Sequence, residues 1–496
     1  MALHTKLVFA LVLGNILLRT FTNGLNVLPR ALNLVDIPMV IAIFLVSRLH
    51  PPHLPSFPWE KPIAKRIGVF IVVMIAGCAL NPSFIYPSAA ASQFIMLLLP
   101  FTLFFAMLRF PFRLADITAF RGMLRFLIIL EIGIGLVQAA GRMASGGSSE
   151  LVHGTFPGNA EQYAVFLIIA MFYFLANLML QPRRKGFYLT MIAALLFLNL
   201  SIDNKASWFG LVISLSVVIW TLRGYRASFK HLFAFASLIA VSAATLYFIV
   251  PLFSTSLHRF GRVAEAVRED QLLRLGKIKA YVDIARSHLT RPHMLLVGSG
   301  ASTFYSRACR QFYYSPTARA KMFDNPQMLN ADEDPGERQA SDSAGGLIVA
   351  STHTPYYDQF YTKGETIFAI GTIQVDQPYS PYAGLLGETG ILGFFLYLSL
   401  YVLMFKQLSS WILAFRDDPI AFPLVLPTFG LFVYVLANSV YGPFLETTRV
   451  TTTLWTMIGF VCAYARMARQ WNESTDPSDA TENLPDTDAD SVRHAI

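Results

Sequence analysis

The sequence predicts an all-α, polytopic integral membrane protein of about twelve transmembrane helices, with one large extracytoplasmic loop between helices nine and ten. Of its 496 residues 54% are hydrophobic and 14% charged, where a soluble chain has roughly a quarter of its residues charged. Mean hydropathy is +0.49. Apolar runs near the ~20 residues needed to cross a bilayer recur along the chain. One stretch, 254–381, interrupts that series with Arg, Lys, Asp, His and many tyrosines. Four regions follow: 1–253 with about nine helices, the loop 254–381, 382–469 with about three helices, and an acidic cytoplasmic tail, 470–496.

The apolar segments fall near 5–22, 33–48, 66–80, 92–110, 121–140, 160–181, 186–201, 205–222, 231–253, 382–406, 421–440 and 449–468. The first has no convincing small-residue cleavage site and is expected to remain as a span. Links of one parity hold Arg48, Lys61, Lys65, Arg66, Arg109, Arg113, Arg121, Arg183, Arg184, Lys185, Arg223, Arg226, Lys230, Lys406, Arg416, Arg466 and Arg469; short links of the other hold Arg30, Arg142, Lys205 and Arg449. Basic residues favour the cytoplasmic side. That places both termini in the cytoplasm and the large loop outside.

Net charge is +8, and without the tail 38 basic residues stand against 24 acidic ones. In a multi-span chain this excess reads as topology, so nucleic acid is not an expected partner. The tail is polar and poor in large apolar residues, which predicts disorder. Cys78, Cys309 and Cys462 offer neither a disulfide framework nor metal-ligand spacing. Glu131 is a lone acid inside the fifth segment, where an ionisable group needs a partner or a cavity; the sequence names none. Asp332-Glu333-Asp334 reads as solvated charge.

Within the loop, Val263 to Leu296 is amphipathic and predicts one or two helices along the outer membrane face. Four stretches place small and polar residues where an outer link meets a span: His153–Asn159, Asn204–Trp208, Leu296–Phe304, and Pro378–Tyr382 followed by Leu386-Gly387-Glu388-Thr389-Gly390-Ile391-Leu392-Gly393. In their order, and in the position of the large loop, the chain resembles the bacterial O-antigen ligase and polysaccharide polymerase superfamily from about Gly154 to Gly393. The Leu-x-Glu-x-Gly-x-x-Gly ending at Gly393 is its most recognisable part. The resemblance implies a glycosyltransferase using sugars carried on polyprenyl diphosphate at the bacterial inner membrane, with a flippase and a chain-length regulator as partners. Two departures stand out. Many ligases of the family carry His-Asn at the positions of Tyr379 and Ser380, which favours polymerase over ligase. Many members also carry Arg where this chain has Lys205.

Taking a glycan off a lipid diphosphate leaves negative charge on phosphate oxygens, which fixed cations stabilise. The catalytic candidates are Lys205 and Arg274 as cations, with His353 and Glu388 as acid–base groups. Arg286, Arg291, Asn159, Tyr379 and Tyr382 are the substrate-binding candidates, the tyrosines as sugar platforms. Neither a metal nor another cofactor is expected. Ligation to lipid A-core or protein is the alternative within this chemistry, and a polysaccharide or lipid transporter is the rival of another class.

Overall fold

The computed structural model describes residues 2–24, 27, 35–49, 56–82, 87–145, 152–156, 160–202, 205–223, 281, 284, 285, 288, 289, 292–303, 380–440 and 442–474. Their regular secondary structure is helical, with no strand among them. In chain order the helices are α1 Leu3–Arg19, α2 Asp36–Arg48, α3 Glu60–Leu80, α4 Pro87–Arg109, α5 Leu114–Ser145, α6 Ala160–Leu180, α7 Lys185–Ser201 and α8 Lys205–Arg223. Then come the six-residue α9 Pro292–Val297, α10 Pro381–Ala414, α11 Phe422–Asn438 and α12 Thr448–Ser474. Eleven of the twelve apolar segments correspond to a helix; the segment 231–253 lies outside the described residues. Five helices, α3, α4, α5, α6 and α10, are long and apolar enough to cross a bilayer. The outward faces of α3, α5 and α10 carry exposed large apolar residues, among them Val72, Phe126, Val137, Phe395 and Val402. A helix apolar on its outside belongs against lipid.

α11 is the axis of the packing. Its sequence, FPLVLPTFGLFVYVLAN, is apolar all round, and nearly every residue is buried. α6, α8, α10 and α12 contact it. Close approach depends on small residues, because lipid supplies no hydrophobic drive between helices. At Gly430, for example, a Cβ would lie 2.2 Å from the Phe172 ring of α6. α12 packs on α4 through Trp455 between Phe101 and Phe104, with ring centroids 4.8 and 5.0 Å away.

Links of one parity meet at one end of the bundle. There Arg109 donates to Ser47 O (3.2 Å) and Arg121 to Pro419 O (2.5 Å). Arg466 of α12 pairs with Glu60 of α3 and also donates to Leu108 O. At the opposite end Arg142 donates to Ser201 O (2.6 Å), Thr20 to Thr155 O (2.7 Å) and Ser380 to Ser439 O (3.1 Å). Arg109, Arg121 and Arg466, which the sequence assigns to one side, therefore share one end.

Several boundaries move: α3 begins at Glu60 where the apolar segment begins at 66, and α5 runs Leu114–Ser145 where the segment runs 121–140. α10 runs eight residues past the predicted 406, and α12 reaches Ser474, inside the expected tail. Both extensions are amphipathic or polar, so hydropathy does not report them. The tail beyond Ser474 and the stretch 304–379 lie outside the described residues.

Candidate functional site

The loop-bearing end is built on two backbone irregularities that lock into each other. α10 is broken at Gly390, whose φ of 63° and ψ of −173° are non-helical, a region essentially reserved for glycine. A break in a buried helix frees carbonyls that must find new donors. Here the turn after α9 supplies them: Ser299 N donates to Gly387 O and Gly300 N to Glu388 O, both at 3.0 Å. Ser299 Oγ and His288 Nε2 also meet Gly387 O at 3.0 Å.

α9 ends at Gly298, with φ of 76°, and Gly298 N closes onto Met294 O at 2.8 Å. This left-handed cap is what a glycine at a helix end provides. A Cβ on Gly298 would lie 2.2 Å from the Glu388 backbone, and one on Gly390 2.5 Å from that of Leu296. Each glycine is required by the other's strand of the interlock.

The end of α3 closes the third side. Gly77 lies beneath the turn, where a Cβ would meet Val297 O at 2.7 Å. Asn81 donates to Gly77 O (2.9 Å) and Gly298 O (3.3 Å), and its Oδ1 meets His293 Nε2 at 3.2 Å. Ala301 N donates to Cys78 Sγ at 3.3 Å. Ser299 and Thr303 hydroxyls pair at 2.5 Å. Ser302, at φ 63°, is buried with its hydroxyl unpartnered.

Glu388 is 1% exposed within this interlock and close enough to bear electrostatically on Cys78. Tyr382 is half-buried, its hydroxyl donating to Leu436 O at 2.7 Å. That bond builds Tyr382 into the α10–α11 contact. Lys205 opens α8; its side chain is outside the described residues. Asn159, Arg274, Arg286, Arg291, His353 and Tyr379 also lie outside them. Of the predicted amphipathic segment, residues 281, 284, 285, 288, 289 and 292–296 are helical. Ile284 and His288 are buried and Leu289 is 72% exposed, as an amphipathic helix requires.

The last turn of α11 and the link after it mark only a span end in the apolar pattern, yet they join the other stretches. Asn438 is fully buried, and a Cβ on Gly210 of α8 would strike its side chain. Ser439 O receives the Ser380 hydroxyl at 3.1 Å, and Glu161 of α6 lies 3.7 Å from where a Gly442 Cβ would sit. Glu446, 2% exposed, accepts from Gln93 at 3.0 Å. The sequence signal was available: Asn438, Ser439, Glu446 and Arg449 crowd one short link between two apolar spans.

The His153–Phe156 turn reaches back into the bundle. It lies against Glu131 of α5, ~20 Å by helical rise from the end of that helix at Ser145. Gln138 Oε1 accepts from His153 N (3.0 Å) and Gly154 N (2.8 Å), and Gln138 Nε2 donates to Gly154 O (2.9 Å). Glu131 accepts from Thr155 N at 3.0 Å and contacts the Thr155 hydroxyl. The partner of Glu131 that the sequence left unnamed is thus a re-entrant turn.

Burial pulls the His288 imidazole below its ordinary 6.5, against the opposing pull of the Ile284 and Gly387 carbonyls. The unfolded chain then binds more protons than the folded one, so stability held above about 6.5 falls as pH drops through the lower folded value. The thermal midpoint in detergent is expected to fall on acidification more steeply for wild type than for His288→Gln; parallel curves would refute this.

Among the described residues no three His, Cys, Asp or Glu side chains group as metal ligands. No protein-family model matches the chain, and no curated protein matches it either.

Proposed function

We propose that this protein is a membrane glycosyltransferase of bacterial envelope polysaccharide assembly, polymerising glycan from a polyprenyl-diphosphate donor at the outer face of the inner membrane. One observation carries the reading. The stretches behind the family resemblance lie far apart in sequence and gather at one end of the bundle. Leu296–Thr303 docks on Gly387–Gly390. The start of α10 and the helices that follow the other two stretches, α6 and α8, meet the end of α11. The opposite end carries the basic cluster of Arg109, Arg121 and Arg466, which supports a cytoplasmic assignment for it. The short Pro182–Arg184 connection between α6 and α7 lacks the long mid-chain link of a two-halves transporter.

In the proposed step an acceptor sugar hydroxyl attacks the anomeric carbon of the donor. The new C–O bond forms as the bond from that carbon to the phosphate oxygen breaks, and polyprenyl diphosphate leaves with the electron pair. The hydroxyl proton passes to a base or to water. Lys205, at the start of α8, is assigned to the leaving diphosphate. A cation aimed at charge that develops in the transition state acts on turnover. Glu388, buried under the turn, is assigned to hold the interlock.

Lys205→Ala is expected to cut glycan assembly by about 10²-fold at matched expression, with Lys205→Arg retaining more. The measurement is ladder length and intensity in a deletion strain complemented with each variant. Wild-type ladders from Lys205→Ala would sink the assignment. Glycan joined to lipid A-core or protein, in place of a longer chain on the same carrier, would turn the reading to ligase.

A further inference from the structure

All three hydrogen bonds around Thr155 are satisfied at once when Glu131 is a neutral acid. The Thr155 hydroxyl has one proton and two neighbours at bonding distance: Ile16 O at 3.1 Å and Glu131 Oε1. The Ile16 carbonyl can only accept. If the hydroxyl donates to Ile16, the proton between Thr155 Oγ and Glu131 Oε1 must belong to Glu131. The other carboxyl oxygen, Oε2, accepts Thr155 N–H at 3.0 Å. A protonated carboxyl has one donor and remaining acceptors, which fits this arrangement. A carboxylate would compete with Ile16 O for a single proton. Glu131 is fully buried, and among the described residues no basic side chain pairs with it; a buried unpaired charge is costly.

We propose that Glu131 is held as the neutral carboxylic acid and acts as a positioning residue for the re-entrant turn His153–Phe156, which it joins to α1 through Thr155. Ionisation would leave the Thr155 N–H bond to Oε2 in place but cost one of the two hydroxyl bonds, to Ile16 O or to Glu131 Oε1. Thr20 Oγ to Thr155 O (2.7 Å), the Gln138 bonds and that N–H bond would then hold the turn with one hydroxyl tie fewer. Among the described residues the titratable groups facing this site are Tyr163 of α6, whose hydroxyl donates to Glu131 O at 3.0 Å, and His153 of the turn, whose Nδ1 meets Gly154 O at 3.0 Å. Among the described residues α1 presents the Ile16 carbonyl there, and the Arg19 side chain lies outside them. The turn leads into Asn159, so the consequence for activity rests on the proposed glycan transfer, while the protonation state does not.

The test uses the full chain in detergent as wild type, Glu131→Gln and Glu131→Ala. An amide reproduces the donor and acceptor of the neutral acid, so Glu131→Gln should match the wild-type thermal midpoint at neutral pH and Glu131→Ala should fall below it. The wild-type midpoint should decline relative to Glu131→Gln as pH rises and the carboxyl ionises. The infrared difference between wild type and Glu131→Gln should contain a protonated-carboxyl stretch that shifts in deuterium oxide. Carboxylate bands at neutral pH in that difference would overturn the proposal. So would a Glu131→Gln protein that unfolds like Glu131→Ala or fails to fold. In the complementation assay Glu131→Gln should keep the ladder, including at raised pH, and Glu131→Ala should lose it. If Lys205→Ala left ladders intact, glycan transfer through Lys205 would fall while the infrared result would stand.

Discussion

Gly390→Ala and Gly298→Ala are each expected to abolish glycan assembly and to leave little folded protein, although each adds a single methyl. At Gly390 two costs combine. The backbone at φ 63°, ψ −173° costs a side-chain-bearing residue ~1–3 kcal/mol. The new Cβ would also lie 2.5 Å from Leu296 C and O and 2.6 Å from Gly298 N. These are backbone atoms held in place, so relief must come from separating α9 from α10, and overpacking of this kind costs ~1–3 kcal/mol. Separation would also strip Gly387 O and Glu388 O of the donors they receive from Ser299 and Gly300. Against a total stability of ~5–15 kcal/mol, the sum is a large fraction. The control is Gly68→Ala in α3, where a Cβ meets nothing within 4 Å and alanine favours the helix by ~1 kcal/mol. Folded yield in detergent and the thermal midpoint are the measurements. Equal yields for Gly390→Ala and Gly68→Ala would show that the interlock is not what holds this end.

The same two glycines show how much of the site is legible in sequence. A glycine-rich turn and a Gly-x-x-Gly at the start of a span mark close approach or unusual φ. Nothing in the spacing says that Gly298 and Gly390 face one another, because pairing across a long loop leaves no periodic signal. Glu131 is similar: an acid in an apolar run announces a partner, but Thr155 lies 24 residues away beyond the end of α5. The helices themselves were legible because length and hydropathy suffice for a bilayer span. α11 shows where that signal runs out. Its all-round apolar sequence marks it as buried, but does not reveal that its polar end, Asn438 to Glu446, gathers α6, α8 and α10. The predicted cations of the loop, Arg274, Arg286 and Arg291, lie outside the described residues.

The largest stability effect expected away from this site is at the opposite end, in Glu60 and Arg466. Arg466 is 5% exposed; it pairs with Glu60, donates to Leu108 O and lies 5.2 Å over the Phe57 ring. Glu60 Oε1 also accepts Phe57 N at 2.7 Å, so one ion pair ties α12 to α3, to the end of α4 and to the link before α3. Removing one partner of a buried pair strands the other charge and costs ~3–5 kcal/mol. Glu60→Ala should cost more than Arg466→Met. It leaves a guanidinium in the interior, whereas Glu60 left alone keeps the Phe57 amide and the favourable end of the α3 dipole. The double variant should recover part of the loss, because no charge is then stranded, with a coupling of ~0.5–3 kcal/mol. Thermal midpoints of the four proteins in detergent measure this, and a double variant no more stable than Glu60→Ala would refute it. Because this pair sits at the end away from the glycine interlock, glycan produced per folded molecule should stay at the wild-type level in all four. Gly390→Ala should fail that comparison.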